Sequence, residues 1–141
     1  MRCNGGVTRV VALAVATILL AAPAATAKEN VRARLVSRLA LDARAGTTIT
    51  VTWRLYVREH GERRPFDAGE LFVRLRGQAR GAATRAYGDG GNGRYRARIK
   101  VPRGGLAGIR FGLMGYRTYP GGTMEPAPVY FPLDNDPFKR P

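Results

Sequence analysis

The sequence predicts an all-β fold, a two-sheet sandwich of about seven antiparallel strands behind a cleaved signal peptide. Three observations predict it. Apolar and polar residues alternate with period two in segment after segment beyond residue 30. Glycine and proline punctuate these segments at short intervals. No stretch after the N-terminal region has the apolar spacing of an amphipathic helix of useful length.

Residues 1–27 read as the signal. Arg2 and Arg9 make a positive start, and Val10 to Ala22 is an apolar run of about 13 residues, short of the roughly 20 that span a bilayer. Pro23 breaks the run. Ala25-Thr26-Ala27 supplies the small residues of a cleavage site, with the cut after Ala27. This leaves one sandwich domain over residues 28–133 and a flexible tail over 134–141. The expected location is extracellular or in the cell envelope, with no membrane-spanning segment in the mature chain.

The strands follow in order. Val31, Ala33, Leu35, Ser37, Leu39 and Leu41 alternate with Arg32, Arg34, Val36 and Arg38 as a first strand, which Ala45-Gly46 ends. Thr48 to Arg58 is the clearest, with Ile49, Val51, Trp53, Leu55 and Val57 on one side and threonines, arginines and Tyr56 on the other. Its β-branched and aromatic content suits a half-buried pleated surface, and Trp53 is the expected core aromatic. His60 to Pro65 is a polar turn. Leu71, Val73 and Leu75 mark a third strand and Ala79 to Tyr87 a weaker fourth. Gly88 to Gly93 is a glycine-rich connection. Tyr95, Ala97, Ile99 and Val101 then alternate with Arg94, Arg96, Arg98 and Lys100, and Pro102 closes that strand. Ile109, Phe111 and Leu113 mark a sixth strand. Arg117 to Pro128 is a long loop. Val129, Phe131 and Leu133 form a last short strand, placed at an edge because Pro128 and Pro132 cannot donate to a central ladder.

Charge is the strongest compositional signal. The chain has 24 Lys+Arg against 10 Asp+Glu; without Arg2 and Arg9 the mature part keeps 22 against 10, a net charge of +12. Lysine occurs only at Lys28, Lys100 and Lys139, so the charge is arginine, whose planar fork matches phosphate and carboxylate. The only cysteine, Cys3, leaves with the signal, which excludes a disulfide framework.

The stretch Asn92-Gly93-Arg94-Tyr95-Arg96-Ala97-Arg98-Ile99-Lys100-Val101-Pro102-Arg103-Gly104-Gly105 resembles a signature of secreted immunoglobulin-like domains of the YtkA-like and FixH-like kind, G-x-Y-x-A-x-V-x-P-x-G-G. Those domains also open with a glycine before alternating β-branched residues, as Gly46-Thr47-Thr48-Ile49-Thr50-Val51 does. Where they carry a tryptophan after the Pro-x-Gly-Gly turn, this chain has Leu106-Ala107-Gly108-Ile109. The resemblance covers roughly Leu41 to Phe131. It implies an immunoglobulin-like sandwich exported to the envelope or beyond, and it brings no catalytic residues with it.

Catalysis is not expected. The mature chain has one serine, Ser37, within an apolar strand pattern, and one histidine, His60, in a turn, so a nucleophile–base pair has little to draw on. Glu59 and Glu62 share that turn with Arg63 and Arg64 and read as a solvated loop. No metal or other cofactor is expected. His60, Met114 and Met124 are too few for a transition-metal site, and Asp134-Asn135-Asp136 offers two carboxylates where calcium wants six to eight oxygens. The first functional expectation is a non-catalytic protein–protein interaction module using the loop from Tyr116 to Glu125, where Tyr116, Arg117 and Tyr119 would make contact. The alternative is a binder of an anionic envelope polymer, nucleic acid being disfavoured. In that reading Arg94, Arg96, Arg98 and Lys100 face one way, joined by Arg54, Arg58, Arg74 and Arg76 if their strands share a sheet.

Overall fold

The computed structural model describes residues 30–140. The expected signal peptide and its cleavage site after Ala27 lie outside them. The described chain is all-β, with two sheets of antiparallel pairs face to face and no helix. It holds nine strands where about seven were expected: β1 (Val31–Leu35), β2 (Thr48–Glu59), β3 (Glu62–Pro65), β4 (Leu71–Gly77), β5 (Ala83–Tyr87), β6 (Asp89–Gly91), β7 (Arg94–Lys100), β8 (Leu106–Thr118) and β9 (Met124–Phe131).

The two extra strands come from segments read as turns. His60 and Gly61 both take positive φ, 50° and 82°, and close a two-residue hairpin that lays β3 along the end of β2. Asn92 and Gly93 do the same at 53° and 72°, pairing β6 with β7. The first strand is shorter than its alternation suggests. It ends at Leu35, because the N–H groups of Val36 and Ser37 both turn to the Thr52 carbonyl.

Sheet A runs β1-β2-β7-β6, with β3 also on β2; sheet B runs β5-β4-β8-β9. Their inner faces meet in one core. Trp53 is fully buried, stacked on Phe111 at 4.9 Å between ring centroids and tilted against Tyr95 at 6.0 Å. Val51, Leu55, Val73, Leu75, Ile99 and Leu113 surround it. These are the inward positions of the alternating strands.

The C-terminal segment, expected to trail free, is bound to β1. Ala33 forms a parallel bridge with Leu133, with its N–H on the Pro132 carbonyl at 2.8 Å. The Asn135 side chain grips Leu35 twice: its Oδ1 accepts the Leu35 N–H and its Nδ2 donates to the Leu35 carbonyl, each at 2.8 Å. Asp134 accepts from Arg32 Nε at 2.5 Å and from the Tyr56 hydroxyl. Phe138 packs against the core. An exposed edge strand is thereby covered.

Sheet B ends in β9, which is longer than expected. Residues read as a loop from Arg117 to Pro128 pair as strand, Thr118 with Met124 through Leu113 with Val129, leaving only residues 119–123 as the turn. Pro126 and Pro128 sit opposite Tyr116 and Met114, two apart, so both lie at positions whose backbone nitrogen faces away from β8. Proline is tolerated there, and it removes donors from the free edge.

A polar pin ties the connection between β3 and β4 to sheet A. Asp67 Oδ1 accepts the Tyr95 hydroxyl at 2.5 Å and the Gly93 N–H at 2.8 Å. Tyr95, then Gly93, hold the Asp67 carboxyl below its usual range. Burial, and next the bond and the charge of Asp67, push the Tyr95 hydroxyl up to about 12. The raised Tyr95 value means that the native state favours the neutral phenol. Its contribution is full below pH 10, the ordinary value, and is lost as pH climbs through about 12. The lowered Asp67 value acts at the other end: its contribution holds above pH about 4 and fades as pH falls further. In urea titrations across pH, Tyr95→Phe is expected to shallow the loss of stability between pH 10 and 12 relative to wild type. An identical alkaline limb would show that Tyr95 is not the group responsible.

Candidate functional site: arginine rows on the outer sheet faces

The outer face of sheet A carries arginines in register. Arg34 of β1 lies opposite Arg54 of β2, and Arg54 lies opposite Arg94 of β7. Neighbouring strands are about 4.8 Å apart, so three guanidinium groups stand in a row across the sheet. Along β7 a second line runs at right angles, Arg94, Arg96, Arg98 and Lys100, all exposed, with backbone steps of about 6.8 Å. Thr52, Thr50 and Thr48 flank it on β2, so the surface beside it is polar and low. Asp89 lies opposite Arg96.

The corner where the two lines meet is concave. A cleft of about 560 Å³ is bounded by the β3 segment Arg63–Pro65, by the turn Gly91–Gly93 and by the row itself. The Arg63 guanidinium lies over the Tyr56 ring, 4.8 Å from its centroid, and helps to bury this outward-facing tyrosine. Among the described residues no acidic side chain lines the cleft. The ion pairs among the described residues are Arg32–Asp134 at 2.5 Å and Arg64–Glu59 at 3.3 Å, and neither engages the row. Like charges directly opposite on adjacent strands cost roughly 0.2–1 kcal/mol per pair. The row therefore opposes folding, and an anion laid across it would relieve that cost.

The expectation that Arg74 and Arg76 join this face is corrected. They belong to β4, in sheet B, and point away from sheet A. There they form a second in-register row: Arg85 of β5 opposite Arg74, and Arg74 opposite Arg110 of β8. Beside it runs an aromatic row, Tyr87, Phe72 and Tyr130, with Gly112 between the last two. Phe72 is fully buried although it faces outward, because Tyr87 and Tyr130 meet it edge-on at 6.2 and 5.8 Å. Gly112 makes room for it; a Cβ there would come within 2.9 Å of Phe72 Cζ and 2.5 Å of the Val129 carbonyl. Arg85 and Arg110 stack on the aromatic row, 4.6 Å above Phe72 and 4.4 Å above Tyr130.

No protein-family model, curated protein or solved structure matches this chain.

The sequence-nominated residues fall into two separate places. Arg94, Arg96, Arg98 and Lys100 share the outer face of sheet A. Tyr116, Arg117 and Tyr119 lie in the β8–β9 hairpin, in sheet B, beyond the stretch of β8 that β4 covers. The Tyr119 hydroxyl donates to Glu125 Oε2 at 3.0 Å across the hairpin. Arg34, Arg63, Arg85 and Arg110 were not nominated. Alternation marks Arg34, Arg85 and Arg110 as outward, but only the strand pairing aligns them with other arginines. Ser37 and His60 do not meet: Ser37 Oγ accepts the Thr52 N–H at 2.9 Å, while His60 closes the β2–β3 turn. Among the described residues no group of three or more His, Cys, Asp or Glu side chains gathers to hold a metal ion, and no helix is long and apolar enough to cross a membrane.

Proposed function

We propose that this chain is a secreted, non-catalytic binding module whose immunoglobulin-like sandwich holds an anionic polymer of the envelope or extracellular space on the outer face of sheet A. The observation that carries the reading is the in-register row Arg34–Arg54–Arg94, which is unfavourable for the bare fold and lines an arginine-rich cleft with no carboxylate among the described residues. Export is supported by the charged start, apolar run and small-residue site of residues 1–27. The immunoglobulin-like reading is supported by strand order. One sheet pairs the first, second and seventh strands, the other pairs the fourth with the eighth and ninth, as the A-B-E and C-F-G sets do in that architecture. Phosphate is the preferred group, because arginine forks bind it in a bidentate manner.

The test is fluorescence anisotropy of end-labelled inorganic polyphosphate titrated with the full mature protein across salt concentrations. Replacing Arg34, Arg54 and Arg94 together by glutamine is expected to weaken binding by about tenfold or more at low salt. The slope of log affinity against log salt should shrink by about two, from the coefficient of about 0.7 per contact for a single-stranded polyanion. The melting temperature should hold or rise, since two like-charge oppositions disappear. Unchanged affinity and slope would overturn the reading. The site would then move to the β8–β9 hairpin, where Tyr116 and Met124 stand 61% and 59% exposed.

A further inference from the structure

We infer that the protein is a cross-linker with two polyanion-binding faces, holding one phosphate-bearing chain on sheet A and another on sheet B. This rests on the reading of sheet A as a polyanion surface and extends it to the opposite side. The basis is the division of the arginines between the sheets. Had β4 shared a sheet with β2 and β7, their side chains would form one large plateau serving one ligand. Instead the fold stands two arginine triplets back to back, Arg34–Arg54–Arg94 and Arg85–Arg74–Arg110, each on the solvent side of its sheet. The sheets of a sandwich lie about 10 Å apart, so the two rows face opposite directions with the core between them.

The second row has the features that distinguish the first. Its arginines are directly opposed across neighbouring strands, an arrangement that costs the fold stability. Neither ion pair among the described residues involves Arg74, Arg85 or Arg110. Two of the three are already held in place. Cation–π contact with Phe72 and Tyr130 holds the guanidiniums of Arg85 and Arg110 against the aromatic row, and a guanidinium so held can still fork its N–H donors onto phosphate. Less rotamer freedom is then lost when an anion arrives. A hollow of about 320 Å³ at one end of the row brings Arg76 and Lys139 in beside Arg74 and Arg110, with Asp136 the one carboxylate among the described residues that line it. Arg76 spends one N–H on the Ala107 carbonyl at 2.9 Å, which steers its fork without neutralising it. Each face thus has a triplet without an ion pair among the described residues, a guanidinium over an aromatic ring and an adjoining basic hollow.

Two outward faces on one small protein convert binding into bridging. With protein in excess each chain is coated and few are shared; near matched amounts each face takes a separate chain and forms a bridge; with excess polymer unbridged chains dilute the bridged ones. The experiment mixes donor-labelled and acceptor-labelled inorganic polyphosphate with the full mature protein and reads energy transfer, while anisotropy of one labelled chain reads binding. Wild type should give transfer that rises and then falls as polymer is added. Replacing Arg74, Arg85 and Arg110 by glutamine should leave single-chain binding within about threefold and cut peak transfer at least about fivefold. Replacing Arg34, Arg54 and Arg94 should cut transfer as well. A second sheet B variant, Arg74→Gln with Arg76→Gln, spares the stacked guanidiniums and should lose transfer in the same direction. Binding without transfer in wild type overturns the inference and leaves the sheet A reading intact. So does undiminished transfer in both sheet B variants, the result expected if self-association made the bridge. Failure of the sheet A reading is distinct: it shows as unchanged anisotropy in the sheet A variant.

Discussion

Trp53→Ala is expected to destabilise the domain by about 3–5 kcal/mol, the range for removing a large buried aromatic. A domain of this size has about 5–15 kcal/mol in all, so the variant should sit near its unfolding threshold. Trp53 has no exposed surface and lies between the sheets, stacked on Phe111 of sheet B and tilted against Tyr95 of its own. Alanine would leave a void bounded by rigid strands on both sides, which cannot collapse into it. Trp53→Phe separates volume from polarity. The indole N–H is buried without a partner among the described residues, and a donor left so costs about 1–3 kcal/mol. Phenylalanine keeps most of the stacking and discards that donor, so its loss should be at most about half that of alanine. Urea unfolding followed by far-ultraviolet circular dichroism measures both. An alanine variant within about 1.5 kcal/mol of wild type would mean that the core is not organised around this ring.

Truncation after Leu133 is expected to cost about 2–4 kcal/mol, although it removes only residues that read as a tail. The deleted segment supplies the paired Asn135 bonds to Leu35, the Asp134 contacts with Arg32 and Tyr56, and the packing of Phe138. Two buried-side hydrogen bonds at about 0.5–1.5 kcal/mol each and a half-buried phenylalanine make up that figure. Asn135→Ala alone should cost about 1–2 kcal/mol by leaving the Leu35 N–H and carbonyl without their partner. Truncation also bares part of the β1 edge, so sedimentation should show more self-association than in wild type. A truncated chain of unchanged urea midpoint and unchanged sedimentation would return residues 134–141 to the status of a free tail.

The core was legible because period two is a local property. Val51, Trp53 and Leu55 point inward wherever β2 is placed, and the same holds for Tyr95, Ala97 and Ile99 on β7. Other elements misled for identifiable reasons. Prolines at 126 and 128 read as loop, yet their spacing puts both on the side of β9 that needs no donor. Glu62 to Pro65 is wholly exposed and lacks any apolar alternation, so only its pairing with β2 makes it a strand. Asn135 reads as a polar tail residue because its partner, Leu35, is 100 positions away.

By itself the sequence determined an all-β chain, the inward and outward side of each strong strand, the placing of Trp53 in the core, and a positive charge carried by arginine. Each follows from neighbours along the chain or from composition. The tertiary structure alone decided which arginines stand together. Register sets Arg34 beside Arg54 and Arg94, and the partition of strands between sheets sends Arg74, Arg85 and Arg110 to the opposite face. The physical reason is that a side chain's direction follows from backbone pleat, which repeats every two residues. Its cross-strand neighbour follows from hydrogen bonding between segments tens of residues apart, and no local pattern encodes that choice.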